Sequence, residues 1–137
     1  LIPAIGAAAG LAGLAAWAVR GKSSQLFAPA VWRGPRNAAG FALTFDDGPS
    51  ESTPRLLDLL ARHNACATFF VCGANVRRLP EITRRIATAG HEIACHGDAH
   101  PYYHFRGAPF IREDIRRGVE TIAQATGLAP RWFRPPY

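Results

Sequence analysis

Two adjacent carboxylates, Asp46 and Asp47, close the apolar run FALTF at 41–45, and Gly48 and Pro49 follow at once. Two imidazoles, His96 and His100, come just after a second apolar run, EIAC at 92–95. Arg134 follows a third, RWF at 131–133. Two imidazoles and a carboxylate are a common three-ligand set for a catalytic divalent metal, with positions left open for water. A second carboxylate can stay off the metal and accept a proton from water. A bound cation lowers the pKa of its water toward about 7, within reach of such a base. The cation also relieves the repulsion between neighbouring Asp side chains.

Other readings fit less well. An Asp-Gly hairpin turn would use one Asp, but no second strand begins two residues later. Phosphatases of the haloacid-dehalogenase type use Asp-x-Asp, whereas here Thr44 stands two before Asp46 and the acids are adjacent. His96-x-Asp98 with a distant His imitates an iron facial triad. That triad sits on an antiparallel barrel, and it would leave Asp46, Asp47 and Arg134 idle. Asp98 is left facing solvent or an outer partner of the site. The His96/His100 spacing would share a helix face, but Gly97 and Pro101 argue for a loop.

The elements that must position these groups alternate. Short apolar runs at 41–45, 66–71, 92–95 and 131–133 read as buried strands. Between them lie three helical patterns. The first starts at Thr53-Pro54, with Thr as N-cap, carries Leu56, Leu57 and Leu60, and ends near Asn64. The second runs from Pro80 to Gly90 with Ile82 and Ile86 on one face. The third places Ile111, Ile115, Val119 and Ile122 at helical spacing and closes at Gly127. Alternation of this kind predicts parallel β/α units, the first four of a barrel or a small open sheet. In such folds functional residues gather at the C-terminal ends of the strands, where the Asp pair, both His and Arg134 fall.

The 137 residues are 48% hydrophobic, enough for one domain with a core plus an appendage. The net charge of +6 comes from scattered arginines, most on presumed helix faces, and no nucleic-acid motif accompanies it, so no nucleic-acid partner is expected. Cys66, Cys72 and Cys95 are odd in number and form no CxxC, so they read as small buried side chains.

Residues 1–19 hold no charged side chain, and a helix of that length just spans a bilayer core. The stretch reads as a membrane anchor or the apolar part of a signal peptide, and its length favours the anchor. Trp17 would suit the interface; Arg20, Lys22, Arg33 and Arg36 follow it and leave the orientation open. Residues 20–40, rich in Gly, Pro, Ser and Ala, read as a linker, with the folded part starting near Phe41. Because the chain begins at Leu1 and stops at Tyr137 inside a motif, it is expected to be part of a longer protein.

Three ordered motifs carry a resemblance. TFDDGPS (44–50), HGDAHP (96–101) and RPPY (134–137) resemble the first three motifs of the NodB-type polysaccharide deacetylases, carbohydrate esterase family 4. The resemblance covers residues 41–137. It implies a distorted (β/α) barrel and removal of N- or O-acetyl groups from chitin-like or peptidoglycan polysaccharide. It also implies that Asp46 is the catalytic base and that Asp47, His96 and His100 hold the metal, usually zinc. Arg134 would orient the base, and the Tyr137 backbone N–H would help hold the oxyanion. The motif that supplies a His as general acid would lie beyond Tyr137. Gly97 stands where the family often has Ser or Thr, so the ligands are expected to lack one supporting hydroxyl. The aromatic stretch Tyr102, Tyr103, His104 and Phe105 would line a sugar cleft or simply pack the loop. With this substrate class, the catalytic part is expected in the periplasm or outside the cell, tethered by residues 1–19. An inactive or glycan-binding relative is the alternative.

Overall fold

The computed structural model describes residues 2–21, 24–26, 29–37 and 39–137. The chain divides into two compact units, residues 1–41 and 42–137.

The first unit holds α1 (Ile2–Arg20), a helix of 19 residues. Ala and Gly dominate it, and such small side chains bury little apolar area per residue. Among the described residues, no helix is long and apolar enough to cross a membrane. The helix expected for residues 1–19 therefore forms, but the reading of it as a membrane span is not supported. After Arg20, the described residues up to Leu43 form neither helix nor strand. Lys22, counted above among the cations that follow the apolar stretch, lies outside the described residues.

The second unit is α/β. It contains β1 (Thr44–Gly48), α2 (Thr53–Arg62), β2 (Thr68–Val71), α3 (Gly73–Arg78), α4 (Pro80–Thr88), β3 (Glu92–Cys95) and α5 (Ala108–Thr126), with one 3₁₀ turn at Tyr103–Phe105. The three strands make a parallel sheet in the order β1-β2-β3. Phe69, Phe70 and Val71 of β2 are buried in succession, as are Ile93, Ala94 and Cys95 of β3. Continuous burial, without alternation, marks strands covered on both faces. Leu57 and Leu60 of α2, Val76 of α3, Ile86 of α4 and Ile122 of α5 pack around Phe69, Val71, Ile93 and Cys95 to form the core.

The structure moves or corrects several expected elements. The first strand covers 44–48, not 41–45, so both acids lie on it and not after it. Thr53 is the first helical residue of α2 and not its cap; its hydroxyl accepts the Ser50 N–H at 2.9 Å. Helix α3 was not foreseen, because six residues are too short to reveal a period. Residues 131–133 form no strand. They make a single parallel bridge, Cys95 to Phe133, where the Cys95 N–H donates to the Trp132 carbonyl and the Arg134 N–H to the Cys95 carbonyl. Pro130 before this segment and Pro135 after it lack the N–H that a longer ladder needs. All three cysteines are free thiols, and Cys66 is exposed, not buried. His91 is a buried structural residue against Phe69, and burial holds its imidazole below its ordinary value.

One close approach couples the fold to the site. A Cβ on Gly118 of α5 would lie 2.7 Å from the Gly97 carbonyl oxygen, 2.8 Å from its carbon and 3.0 Å from Cys95 Sγ. Gly118→Ala gains about 1 kcal/mol of helix propensity. It must also displace backbone, and overpacking of that kind costs about 1–3 kcal/mol. We expect a net loss of stability, read as a lower urea midpoint for the full-length protein.

Candidate metal centre

The site forms where β1 ends, beside the loop that follows β3. Successive residues of a flat strand point to opposite faces. Here the β1–β2 register shifts between Phe45 and Gly48, and Asp47 sits in the left-handed region at φ 66°. This local turn lets the two neighbouring carboxylates meet different partners, Asp47 the imidazoles and Asp46 the Arg134 guanidinium. The Asn75 side-chain amide, from α3, donates to the Asp47 carbonyl at 2.7 Å and holds the turn. Asn75 was not singled out from the sequence, because nothing in its spacing ties it to position 47.

Asp47 Oδ1 lies 3.1 Å from His96 Nε2 and 2.9 Å from His100 Nε2. Ligand atoms of the three residues all fall within 4.8 Å of one another. The Asp47 side chain is 68% exposed, so the cluster opens to solvent on that side. His96 is buried, and its Nδ1 lies 2.7 Å from the Arg134 carbonyl. A carbonyl can only accept, so Nδ1 carries a proton, and in the neutral ring Nε2 then keeps its lone pair toward the cluster. That is the tautomer a ligating histidine needs, with its other nitrogen pinned by a backbone oxygen. One carboxylate and two imidazoles, with a solvent-facing side, fit a divalent metal such as zinc.

Asp46 is not in that set. Arg134 Nη1 donates to its Oδ1 at 2.6 Å and to the Thr44 hydroxyl at 3.1 Å. The guanidinium carbon also sits 3.9 Å from the centroid of the Phe70 ring on β2. Ring, hydroxyl and carboxylate together fix where the guanidinium stands, and the guanidinium fixes the carboxylate. The Arg134 carbonyl holds His96 while its side chain holds Asp46.

A cleft of about 410 Å³ adjoins the cluster, lined by Asp47, Asn75, His100 and Tyr137 among others. Tyr137 is 71% exposed; its ring stacks on Tyr102 at 3.8 Å and meets His100 edge-on at 4.7 Å. Cys72 also lines the cleft. Burial, with Asp47 adding a smaller push, raises its thiol to about 12, so it stays a neutral packing group.

Two open expectations resolve. Of solvent and an outer partner, Asp98 takes the partner: it is 4% exposed and paired with Arg77. The facial-triad reading fails with it, and the parallel sheet argues the same way. The aromatic stretch at 102–105 divides. Tyr102 reaches the cleft residue Tyr137, whereas the Tyr103 hydroxyl turns inward to Asp114 at 2.6 Å. The Phe105 side chain lies outside the described residues.

The family profile described as polysaccharide deacetylase matches residues 33–137. The chain belongs to the polysaccharide deacetylase family. Similar relatives include a Bacillus cereus peptidoglycan-N-acetylglucosamine deacetylase, 45% identical over 108 residues, which make up 78% of this chain and 39% of that protein. A Sinorhizobium fredii chitooligosaccharide deacetylase is 40% identical over 112 residues, 75% of this chain and 50% of its own. Among solved structures, a crystal structure of a peptidoglycan N-acetylglucosamine deacetylase superposes with a TM-score of 0.74 at 44% identity, covering 76% of this chain and 49% of the other. The chain thus spans half or less of the length of these deacetylases. At such identities, the parallel sheet and its helices are those of the polysaccharide deacetylase fold.

Proposed function

We propose that the protein hydrolyses acetyl groups from an N-acetylated glycan of the peptidoglycan or chitin-oligosaccharide class. The observation that carries this reading is the pairing of two sites on adjacent residues: Asp47 with His96 and His100, and Asp46 with Arg134. A divalent ion such as zinc, held by Asp47, His96 and His100, would supply a Lewis acid for the acetyl carbonyl and a water of lowered pKa. Asp46 then takes the proton of the attacking water as oxygen bonds to the carbonyl carbon. Arg134, 2.6 Å from Asp46 Oδ1, keeps the carboxylate aimed. The carbonyl oxygen gains negative charge, and we assign the Tyr137 backbone N–H as a donor to it. The carbon–nitrogen bond breaks, acetate leaves, and the sugar amine takes up a proton. The exposed Tyr102–Tyr137 pair offers flat rings beside the cleft for a sugar face. That substrate class puts the catalytic unit outside the cytoplasm. The alternative, an inactive glycan-binding relative, finds no support in the cluster, where every donor side chain is intact.

The test uses the full-length protein. Acetate release from N-acetylglucosamine oligomers and from peptidoglycan is measured with added zinc and again after chelation. We expect release that chelation abolishes and zinc restores. Equal release in the presence of chelator would overturn the metal-dependent reading.

A further inference from the structure

Gly97–Ala99, the segment between the two histidines, is gripped from two sides by groups that the hydrolysis does not use. On one side stands Asp114 of α5, 6% exposed. Its Oδ2 accepts the Asp98 N–H at 2.9 Å and the Tyr103 hydroxyl at 2.6 Å; its Oδ1 accepts the Ala99 N–H at 3.1 Å. On the other side stands Arg77 of α3. Its two terminal nitrogens donate to the two oxygens of Asp98 at 2.6 and 3.0 Å, and one also reaches the Thr121 hydroxyl. The carbonyls of Gly97 and Asp98 accept the N–H groups of Gly73 and Ala74 at 3.0 and 2.9 Å.

Gly97 explains why the grip has this form. It sits at φ 85°, and a Cβ there would lie 2.6 Å from the Tyr103 hydroxyl and 2.7 Å from Asp114 Oδ2. A side chain at 97 and the Tyr103–Asp114 bond would compete for the same space. The hydroxyl that Ser or Thr would bring at 97 is thus delivered from position 103.

We propose that Tyr103, Asp114 and Arg77 are positioning residues for the metal: they hold residues 97–99 in the conformation that turns His96 and His100 toward one ion. The inference rests on the metal-site reading above. His100 occupies the left-handed region, φ 55°, which an L side chain adopts only when its surroundings enforce it. Without the grip, the competent loop becomes one conformer among several, and apparent metal affinity falls by the fraction lost. Burial and the Asp114 bond raise the Tyr103 phenol well above its ordinary value, so it remains a donor across the working pH range.

The experiment is a calorimetric zinc titration of full-length apoprotein for wild type, Tyr103→Phe, Arg77→Met and Arg77→Lys. Tyr103→Phe removes one oxygen and spares the fold if the Arg77 variants do not. We expect zinc binding about 10–100-fold weaker in Tyr103→Phe and Arg77→Met, the range for loss of a group that supports a ligand. Arg77→Lys, a point charge that cannot bond both Asp98 oxygens, falls between. Excess zinc recovers kcat, and KM for the glycan stays put. Wild-type zinc affinity in folded Tyr103→Phe and Arg77→Met, even with a lowered melting temperature, overturns the proposal. Wild type that binds no zinc overturns the metal-site reading itself and is a separate result.

Discussion

Asp46→Asn lowers the rate of acetate release by about 10²–10⁴-fold while leaving zinc affinity near its wild-type value. The magnitude is that of losing a general base. Asn has the shape of Asp and can still accept from the Arg134 guanidinium, which sits 2.6 Å from Oδ1. What it cannot do is take a proton. The candidate metal donors are Asp47, His96 and His100, so a bound ion would have no direct stake in position 46. The measurement pairs initial rates at saturating zinc with a zinc titration of the same preparation. Activity within tenfold of wild type would remove Asp46 from the role of base. A parallel collapse of zinc affinity would instead mean that the two carboxylates share one task.

Asp47→Asn gives the opposite pattern, with metal affinity lost first and activity lost with it. Asp47 Oδ1 lies about equally close to both imidazoles, at 3.1 and 2.9 Å, and supplies the only negative charge in the set. An amide oxygen is a much weaker ligand for zinc than a carboxylate. Asn is the right substitution because position 47 has φ 66°, which Asn tolerates and Ala does not. The backbone turn and the Asn75 bond to the residue 47 carbonyl therefore survive. The expected weakening exceeds the 10–100-fold assigned to a supporting group, since a ligand itself is removed. Calorimetry with zinc reads it directly, and at low zinc the rate falls by at least the same factor. Unchanged affinity would take Asp47 out of the ligand set.

These opposite outcomes describe a division between neighbours, and Arg134 joins the halves. Its backbone carbonyl sets the His96 tautomer and its side chain sets Asp46. The bridge to Cys95 brings it to both. One residue thus ties the Asp47–His96–His100 cluster to Asp46.

Much of this was legible in the chain. Acidic and imidazole side chains at the ends of apolar runs report chemistry because water-facing strand ends are where such groups can be both positioned and reached. The third helix, with its Ile and Val spacing and closing Gly127, emerged close to its expected limits. The partners were not legible. Asp114 lies 16 residues from the Asp98 amide it accepts, and Arg77 lies 21 residues from the Asp98 carboxylate. Neither carries a local pattern, since a contact across elements is visible only once the elements pack. The missing strand at 131–133 is a milder case. The aromatic pair Trp132-Phe133 suggested a strand, and flanking prolines limited it to one bridge.

By itself, the sequence determined the kind of chemistry. Residue types set which groups can bind a metal or move a proton, and the three ordered motifs set the family. Only the tertiary structure decided which groups each of these side chains meets. It separated Asp46 from Asp47 by a left-handed turn, brought a carbonyl 38 residues away to His96 Nδ1, and chose Arg77 over solvent as the partner of Asp98. The reason is one of range. Side-chain chemistry is carried by each residue, whereas orientation and burial depend on contacts between residues far apart in the chain.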